Sequence, residues 1–323
     1  MTLNRRTALG LAAVAAIPVP AAARQVAPAD PTETVRLWPG AAPGGERVTV
    51  TPQVTERSTD PAFHDRFARY TTDPVLTVLR PARPNGASLL LIPGGGYKWA
   101  VVDKEGLDCA RVFAEASVTC FVLRYRLPGD GWAAGPDAPL QDAQRALRLV
   151  RSQAAVHGLD PGRVAVLGAS AGGHLAGMLT ARDDATYAPV DAADAVSHRP
   201  DLSILLYPVA TMADPHVHAG SRLELLGPTP APGAIGRYSL ERMDWTGRAP
   251  TFLLHAMDDE AVPVENSLQL LTALRAAGVP CEAHLFQEGG HGFGVRLIAG
   301  RPAAAWPALV LAWAARHGWI TQT

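Results

Sequence analysis

The stretch Val164-Ala-Val-Leu-Gly-Ala-Ser-Ala-Gly-Gly173 decides how this chain is expected to fold. Its apolar start, Val164 to Leu167, predicts a buried strand, and residues 174–181 predict the helix that follows. Between them Ser170 stands in a Gly-x-Ser-x-Gly pattern, whose small residues let strand and helix approach closely. A serine on such a sharp, strained turn exposes its hydroxyl for nucleophilic attack. We therefore predict that Ser170 is a nucleophile.

A second glycine-rich segment, Pro93-Gly-Gly-Gly-Tyr97, follows a strand predicted over Leu89 to Ile92. Consecutive glycines allow backbone N–H groups to point into a cavity with no side chain in the way. A developing oxyanion needs such donors fixed in advance. A plain glycine turn is the alternative, but the downstream serine favours an oxyanion hole. We assign its donors to the N–H groups of Gly95, Gly96 and Ala171.

Aromatic residues follow these glycines. Tyr97 and Trp99 are predicted to wall the substrate pocket, with core packing as the alternative. Lys98 between them is predicted to be solvated. His174, on the first turn of the helix after the serine, is predicted to pack or to make a helix hydrogen bond, with a role in substrate binding as the alternative.

An acidic loop, His255-Ala-Met-Asp-Asp-Glu-Ala-Val-Pro263, follows the strand predicted over Thr251 to Leu254. A carboxylate there would orient a catalytic histidine. Three residues of the loop compete for that role: Asp258, Asp259 and Glu260.

A histidine loop, Gly289-Gly-His-Gly-Phe-Gly294, follows the strand predicted over Cys281 to Phe286. Glycines around His291 suit a loop that delivers an imidazole to a crowded site. An ordinary surface histidine is the alternative. The chain order serine, acid, histidine favours a catalytic base.

The chain resembles the α/β-hydrolase serine carboxylesterases, and within them the bacterial acetyl-esterase or xylan-esterase-like group. The segments quoted above carry the resemblance, together with Leu37–Gly44 and Arg124–Pro128, and it runs from about Val35 to the C-terminus. Matching the Asp-x-x-Val-Pro pattern places the acid at Asp259. Pro93 stands where lipases of the hormone-sensitive group carry histidine, which favours the acetyl-esterase branch.

The resemblance implies that Ser170, His291 and Asp259 form a catalytic triad that needs no cofactor or metal. It implies hydrolysis of short-chain, acetyl esters, of plant-derived carbohydrate. A general short-chain carboxylesterase or an arylformamidase-like hydrolase is the alternative within the enzymes. A catalytically silent hydrolase fold that binds a ligand is the alternative from another class.

Alternating strand and helix patterns predict an α/β-hydrolase fold: a mostly parallel central sheet, helices on both faces and a small cap insertion. Asp142, in the helix predicted over residues 141–157, is expected to be a surface charge, with a pair to a nearby arginine as the alternative. Early antiparallel strands are predicted at Val48–Val50 and Val75–Leu79. The predicted parallel strands span residues 89–92, 119–123, 164–167, 202–206, 251–254 and 281–286, and further helices span residues 266–277 and 303–316.

Residues 211–245 interrupt this alternation and are rich in proline and glycine. We predict that they form a cap over the active-site edge; a structural excursion away from substrate is the alternative. Within them, Asp214-Pro-His-Val-His218 resembles a metal-ligand cluster. No supporting ligand motif accompanies it, so a pair of solvated histidines is favoured and no metal is predicted.

The whole chain has 323 residues, a net charge of −1 and 48% apolar residues, enough for the large core of one α/β domain over residues 24–323. Near-neutral charge argues against nucleic acid or anionic membranes as partners. The resemblance implies a small-molecule or oligosaccharide ester as the substrate. Nothing in the pattern specifies an oligomeric state. Three cysteines, Cys109, Cys120 and Cys281, are expected to be free rather than bridged.

The N-terminus carries an export pattern. Arg5-Arg6 precedes a short apolar stretch and the small residues Ala21 to Ala23. This order predicts a Tat-type signal peptide over residues 1–23 and a periplasmic or secreted protein. An ordinary Sec signal or a chance arginine pair is the alternative.

Overall fold

The computed structural model describes residues 27–320. The predicted signal peptide, residues 1–23, lies outside them. The strands of the described chain are β1 Thr34–Arg36, β2 Gln53–Glu56, β3 Arg66–Arg69, β4 Val75–Leu79, β5 Ser88–Ile92, β6 Ala100–Val101, β7 Thr119–Arg124, β8 Val164–Ala169, β9 Leu202–Leu206, β10 Thr251–Ala256 and β11 Cys281–Phe286. The α-helices are α1 Asp108–Glu115, α2 Ala138–Ser152, α3 Ala171–Ala181, α4 Ala219–Leu226, α5 Ala234–Arg237, α6 Glu265–Ala276 and α7 Trp306–Arg316.

Eight strands form the central sheet, in the order β1-β4-β7-β5-β8-β9-β10-β11. The pairs β1–β4 and β4–β7 are antiparallel, and every pair from β7 to β11 is parallel. The predicted mostly parallel sheet is therefore confirmed. Since parallel strands end at the same edge, the loops after β5, β8, β10 and β11 meet there.

Helices cover both faces of this sheet. Leu90 and Ile92 of β5 belong to a core shared with α2, α3 and α6, whereas Leu89 and Leu91 face a second core with α1 and α7. This alternation follows from the period of two in a strand. It explains why the central strands are continuous apolar runs: both of their faces are buried.

The prediction of an early strand at Val48–Val50 is wrong. That segment has no strand partner, and Val48 instead donates its N–H to the carbonyl of Gly45 in a turn. The first strand of the central sheet is β1, which pairs with β4 at the sheet edge. A short apolar alternation does not determine which backbone groups find a partner.

The cysteines are free, as predicted. Cys109 and Cys120 are buried and Cys281 is partly buried, and no disulfide joins them. Within residues 27–320, no helix is long and apolar enough to cross a membrane.

The prediction that Asp142 is a surface charge is also wrong, and the alternative, a pair with a nearby arginine, is confirmed. Its carboxylate and the guanidinium of Arg126 are both fully buried, with Nη2 and Oδ1 2.8 Å apart. Asp142 also accepts hydrogen bonds from the N–H of Arg126 at 2.8 Å and from the indole N–H of Trp38 at 2.9 Å. The pair therefore joins the segments 37–44 and 124–128 to helix α2.

Replacing Asp142 by asparagine is expected to lower the free energy of unfolding by about 3–5 kcal/mol, because a buried guanidinium loses its charge partner. Urea unfolding measures this loss. Asp73→Asn is the matched control, since its pair with Arg36 is half exposed and should contribute only about 0–1 kcal/mol. Equal losses in the two variants would contradict the structural role of the buried pair.

Candidate active site

The turn between β8 and α3 holds Ser170 in a strained backbone, with φ 54° and ψ −122°. Such a conformation costs of order 1–3 kcal/mol in a non-glycine residue and persists only where the surroundings enforce it. Gly172 allows the turn, because a Cβ there would lie 2.1 Å from the carbonyl oxygen of Ile92. The predicted serine therefore stands at the carboxyl end of the central strand with its side chain free to react.

Three predicted residues meet at this edge of the sheet. The hydroxyl of Ser170 lies 2.8 Å from Nε2 of His291. Nδ1 of the same ring lies 2.6 Å from a carboxylate oxygen of Asp259. Because a carboxylate accepts, Nδ1 carries the proton, and Nε2 is left to accept from the serine hydroxyl.

Asp259 is buried and held in place by its own loop. Its Oδ1 accepts the N–H groups of Ala261 at 3.0 Å and Val262 at 2.8 Å, which explains the Asp-x-x-Val spacing. Burial alone would raise the pKa of this carboxyl, but hydrogen bonds from His255 and His291 hold the pKa well below its usual range. The carboxylate therefore stays ionised beside His291.

His255 is a neighbour that the sequence did not reveal. Its Nε2 lies 3.0 Å from the carbonyl of Val262 and 3.2 Å from Oδ2 of Asp259. Its Nδ1 lies 2.7 Å from the hydroxyl of Ser267. His255 thus contacts the same carboxylate oxygen of Asp259 as His291 does. The signal in the sequence was its place at the end of β10.

The two aspartates have different partners. Asp258 is exposed and accepts the N–H of Gly290 at 2.8 Å, which lowers the pKa of its carboxyl. It therefore fixes the histidine loop without touching the imidazole. Glu260 is exposed. Of the three candidates, the structure brings only Asp259 into contact with His291.

The glycine segment places two unused donors beside the serine. The N–H of Gly94 is already bonded, at 2.9 Å, to the buried carboxylate of Glu105. In the described chain, the N–H groups of Gly95 and Gly96 make no hydrogen bond. Gly95 has φ 127°, and a Cβ there would lie 2.3 Å from the carbonyl oxygen of Trp99. Ala171 begins α3, so its N–H has no partner within the helix.

Glu105 joins this segment to the histidine loop. Tyr207 donates its hydroxyl to Oε1 of Glu105 at 3.2 Å and accepts the N–H of Gly294 at 3.1 Å. The Tyr207 ring packs edge-on against the His291 ring, with centroids 5.2 Å apart. Sequence reasoning missed this link, since nothing local connects residues so far apart in the chain.

Tyr97 does not line the pocket, contrary to prediction. It is 1% exposed, and its hydroxyl bonds Nδ1 of His174 at 2.7 Å. The other nitrogen of that ring donates to the carbonyl of Tyr238 at 2.7 Å, and burial lowers the pKa of His174 to about 4. The predicted core role of His174 is confirmed. Tyr97 has φ 62°, and its buried ring packs edge-on against the ring of His174.

A cavity of about 420 Å³ opens beside Ser170 and His291. Trp99 lines it, as predicted, and the exposed Lys98 places its ammonium 5.3 Å from the Trp99 ring centroid. From the segment 211–245, helix α4 and its flank close one side of the cavity. The residues that contribute are His218, Gly220, Leu223 and Glu224.

The possible metal cluster in this segment is not assembled. Asp214 is 76% exposed and pairs with Arg222, His216 lies 3.9 Å from Glu265, and His218 bonds Ser221. Among residues 27–320, no three His, Cys, Asp or Glu side chains converge on a point. The prediction of two solvated histidines is wrong for His218, which is half-buried at the cavity wall.

The sheet, the strained serine turn and the Ser-His-Asp geometry define an α/β-hydrolase. The chain belongs to the prolyl oligopeptidase family of this fold, whose model matches residues 131–318. Within the fold it falls in the acetyl-esterase and xylan-esterase-like group, as the sequence predicted.

Two named relatives are similar in sequence. An acetylxylan esterase of Xylanibacter ruminicola is 33% identical over 219 residues, 66% of this chain and 42% of that protein. The endo-1,4-beta-xylanase B of Butyrivibrio fibrisolvens is 35% identical over 64% of this chain and 32% of that protein. The matched region thus spans less than half the length of either relative.

Solved structures match over almost the whole fold. An acetyl ester-xyloside bifunctional hydrolase from Caldicellulosiruptor lactoaceticus is 32% identical, with a TM-score of 0.70 over 89% of this chain and 97% of that one. Esterase 2 of Thermogutta terrifontis, phosphonylated by sarin, is 25% identical, with a TM-score of 0.64 over 78% of this chain and 92% of that one.

Proposed function

We propose that this protein is a serine esterase that hydrolyses short-chain, acetyl esters of plant-derived carbohydrate. The observation that carries the proposal is the contact of Ser170 with His291 beside the unbonded N–H groups of Gly95 and Gly96. An acetyl-ester substrate is supported by the relatives that act on acetylated xylan and acetyl esters.

The proposed reaction begins when the Ser170 hydroxyl attacks the ester carbonyl. His291 accepts its proton at Nε2, and Asp259 holds the ring in the required tautomer and stabilises the imidazolium. The negative charge that develops on the carbonyl oxygen is bound by the N–H groups of Gly95, Gly96 and Ala171. His291 then returns the proton to the leaving alcohol, and water repeats the cycle on the acyl-enzyme.

The geometry argues against a catalytically silent binding protein more strongly than against other serine hydrolases. A silent binding protein would gain nothing from a strained serine that contacts an oriented imidazole. A general short-chain carboxylesterase or an arylformamidase-like enzyme would use the same triad. The indole of Trp99 at the cavity wall supports a sugar substrate, since a flat apolar ring suits the face of a pyranose.

Acetyl and propionyl esters are expected to give the highest kcat/KM, with a steep fall by octanoyl. The ring of Trp99 at the cavity wall is expected to exclude long acyl chains by overlap, whereas an unobstructed groove would favour each added methylene by about 0.8 kcal/mol. A series of 4-nitrophenyl esters measures the acyl preference, and free acetate released from acetylated xylo-oligosaccharides tests the alcohol.

Two outcomes would change the proposal. A kcat/KM that rises with acyl chain length would contradict an acetyl esterase and favour a lipase-like enzyme. Turnover of 4-nitrophenyl acetate without acetate release from any acetylated sugar would support the esterase activity but contradict a carbohydrate substrate.

Export to the periplasm or medium is part of the proposal. It is supported by the twin arginine and the small-residue stretch of residues 1–23. Activity confined to the cytoplasm of fractionated host cells would contradict it.

A further inference from the structure

His218 carries a nitrogen whose protonation the structure determines. The N–H of Ser221 donates to Nδ1 of His218 at 3.1 Å, and the Ser221 hydroxyl lies 2.7 Å from the same nitrogen. A backbone N–H can only donate, so Nδ1 is an acceptor and the proton of the neutral ring is on Nε2. Burial lowers the pKa of His218, and nearby His291 lowers it further, which keeps the ring neutral.

His218 lines the cavity, and its Nε2–H is not used within the described fold. In the described chain no hydrogen bond involves this nitrogen, although the residue is half-buried. The ring packs over the glycine segment, since a Cβ on Gly96 would lie 3.8 Å from Cε1 of His218. The same cavity wall includes Ser170 and His291. A donor in such a place is costly to leave unbonded when substrate displaces water.

The chemistry of an acetyl ester limits what this donor can bind. A methyl group accepts no hydrogen bond, and three backbone N–H groups already face the carbonyl oxygen. The remaining acceptors are on the alcohol half of the ester, and His218 lines the same cavity as Ser170.

We propose that His218 is a specificity-determining residue whose Nε2–H donates to a hydroxyl or ring oxygen of the alcohol half of the ester. This inference rests on the proposed function and deepens it. The enzyme would select alcohols that carry an oxygen acceptor near the ester, such as sugars and polyols, over alcohols that lack one.

Two substitutions distinguish the proposed donor role of His218 from its role as the cap of helix α4. Each keeps the hydrogen bond of one ring nitrogen and removes that of the other. His218→Asn retains an acceptor at the position of Nδ1 and loses the donor. His218→Gln retains a donor at the position of Nε2 and loses the cap. Each variant is assayed with a monoacetylated methyl xyloside and with 4-nitrophenyl acetate, and thermal unfolding records any loss of stability.

We expect His218→Asn to lower kcat/KM for the xyloside about 10-fold, the effect of one lost hydrogen bond, and to leave 4-nitrophenyl acetate within about 2-fold. We expect His218→Gln to retain most activity on both esters. Lower activity in the glutamine than in the asparagine variant would overturn the proposal in favour of a cap. An equal fall on both esters in the asparagine variant would overturn it in favour of a carbonyl donor.

Assays of the wild-type protein distinguish a failure of the proposed function from a failure of the proposed role of His218. Absence of wild-type acetate release from the xyloside, with intact turnover of 4-nitrophenyl acetate, would contradict both the carbohydrate substrate and the role of His218. Wild-type release that His218→Asn leaves unchanged would overturn only the role of His218.

Discussion

Replacing Ser170 by alanine is expected to lower kcat for acetyl esters by about 10⁴- to 10⁶-fold, because no other hydroxyl lies within reach of His291 Nε2 in the described chain. The oxyanion donors and the cavity would remain, so a small residual rate over water is expected. The fold should be retained, since the substitution removes only one oxygen atom and does not disturb the packing of neighbouring side chains. Steady-state kinetics with 4-nitrophenyl acetate and thermal unfolding measure both effects.

His291→Ala supplies the comparison. It is expected to cost about as much as Ser170→Ala, and the double variant little more, because nucleophile and base act as one unit. Retention of more than a few per cent of activity in Ser170→Ala would mean that another residue is the nucleophile.

The two adjacent aspartates are expected to differ sharply. Asp259→Asn should lower kcat about 10⁴-fold, because an amide at this position favours the wrong histidine tautomer. Asp258→Asn should cost far less, since its side chain bonds only backbone in the histidine loop and an amide oxygen can still accept there. Both variants are assayed by steady-state kinetics with 4-nitrophenyl acetate, and thermal unfolding checks that each is folded.

The reverse ranking would contradict the assignment of the acid. It would place the orienting carboxylate at Asp258, although this side chain is exposed and bonded to Gly290. Equal, small effects in both variants would mean that the bond between Asp259 and His291 does not orient the base.

Much of this molecule could be predicted from its sequence. The strands β5, β8 and β10 are buried on both faces, so they stand out as short apolar runs. The edge strand β11 is only partly buried and carries Glu282 and His284. The order of nucleophile, acid and base follows the loops after β8, β10 and β11. The triad residues needed only local patterns: a small-residue turn around Ser170 and glycines around His291. Asp259 could be chosen over Asp258 only through the family pattern, and the physical reason is visible in the backbone N–H groups of residues 261 and 262.

What sequence reasoning missed depends on contacts between distant segments. The sequence favours a surface charge at Asp142 because its partner Arg126 belongs to another segment. The sequence predicts Tyr97 as a pocket wall because the local residue order does not specify the direction in which a residue of positive φ points its ring. His218 was singled out by its motif, but its place at the cavity depends on how α4 packs against the glycine segment.

The central claim is that Ser170 is the nucleophile, and labelling with a fluorophosphonate tests it most directly. A serine activated by its imidazole forms a stable covalent adduct with such a probe. Intact-mass and peptide mass spectrometry should find one adduct per chain, on the peptide that contains Ser170, and none in folded Ser170→Ala. An adduct on another residue, or equal labelling of the alanine variant, would contradict the account.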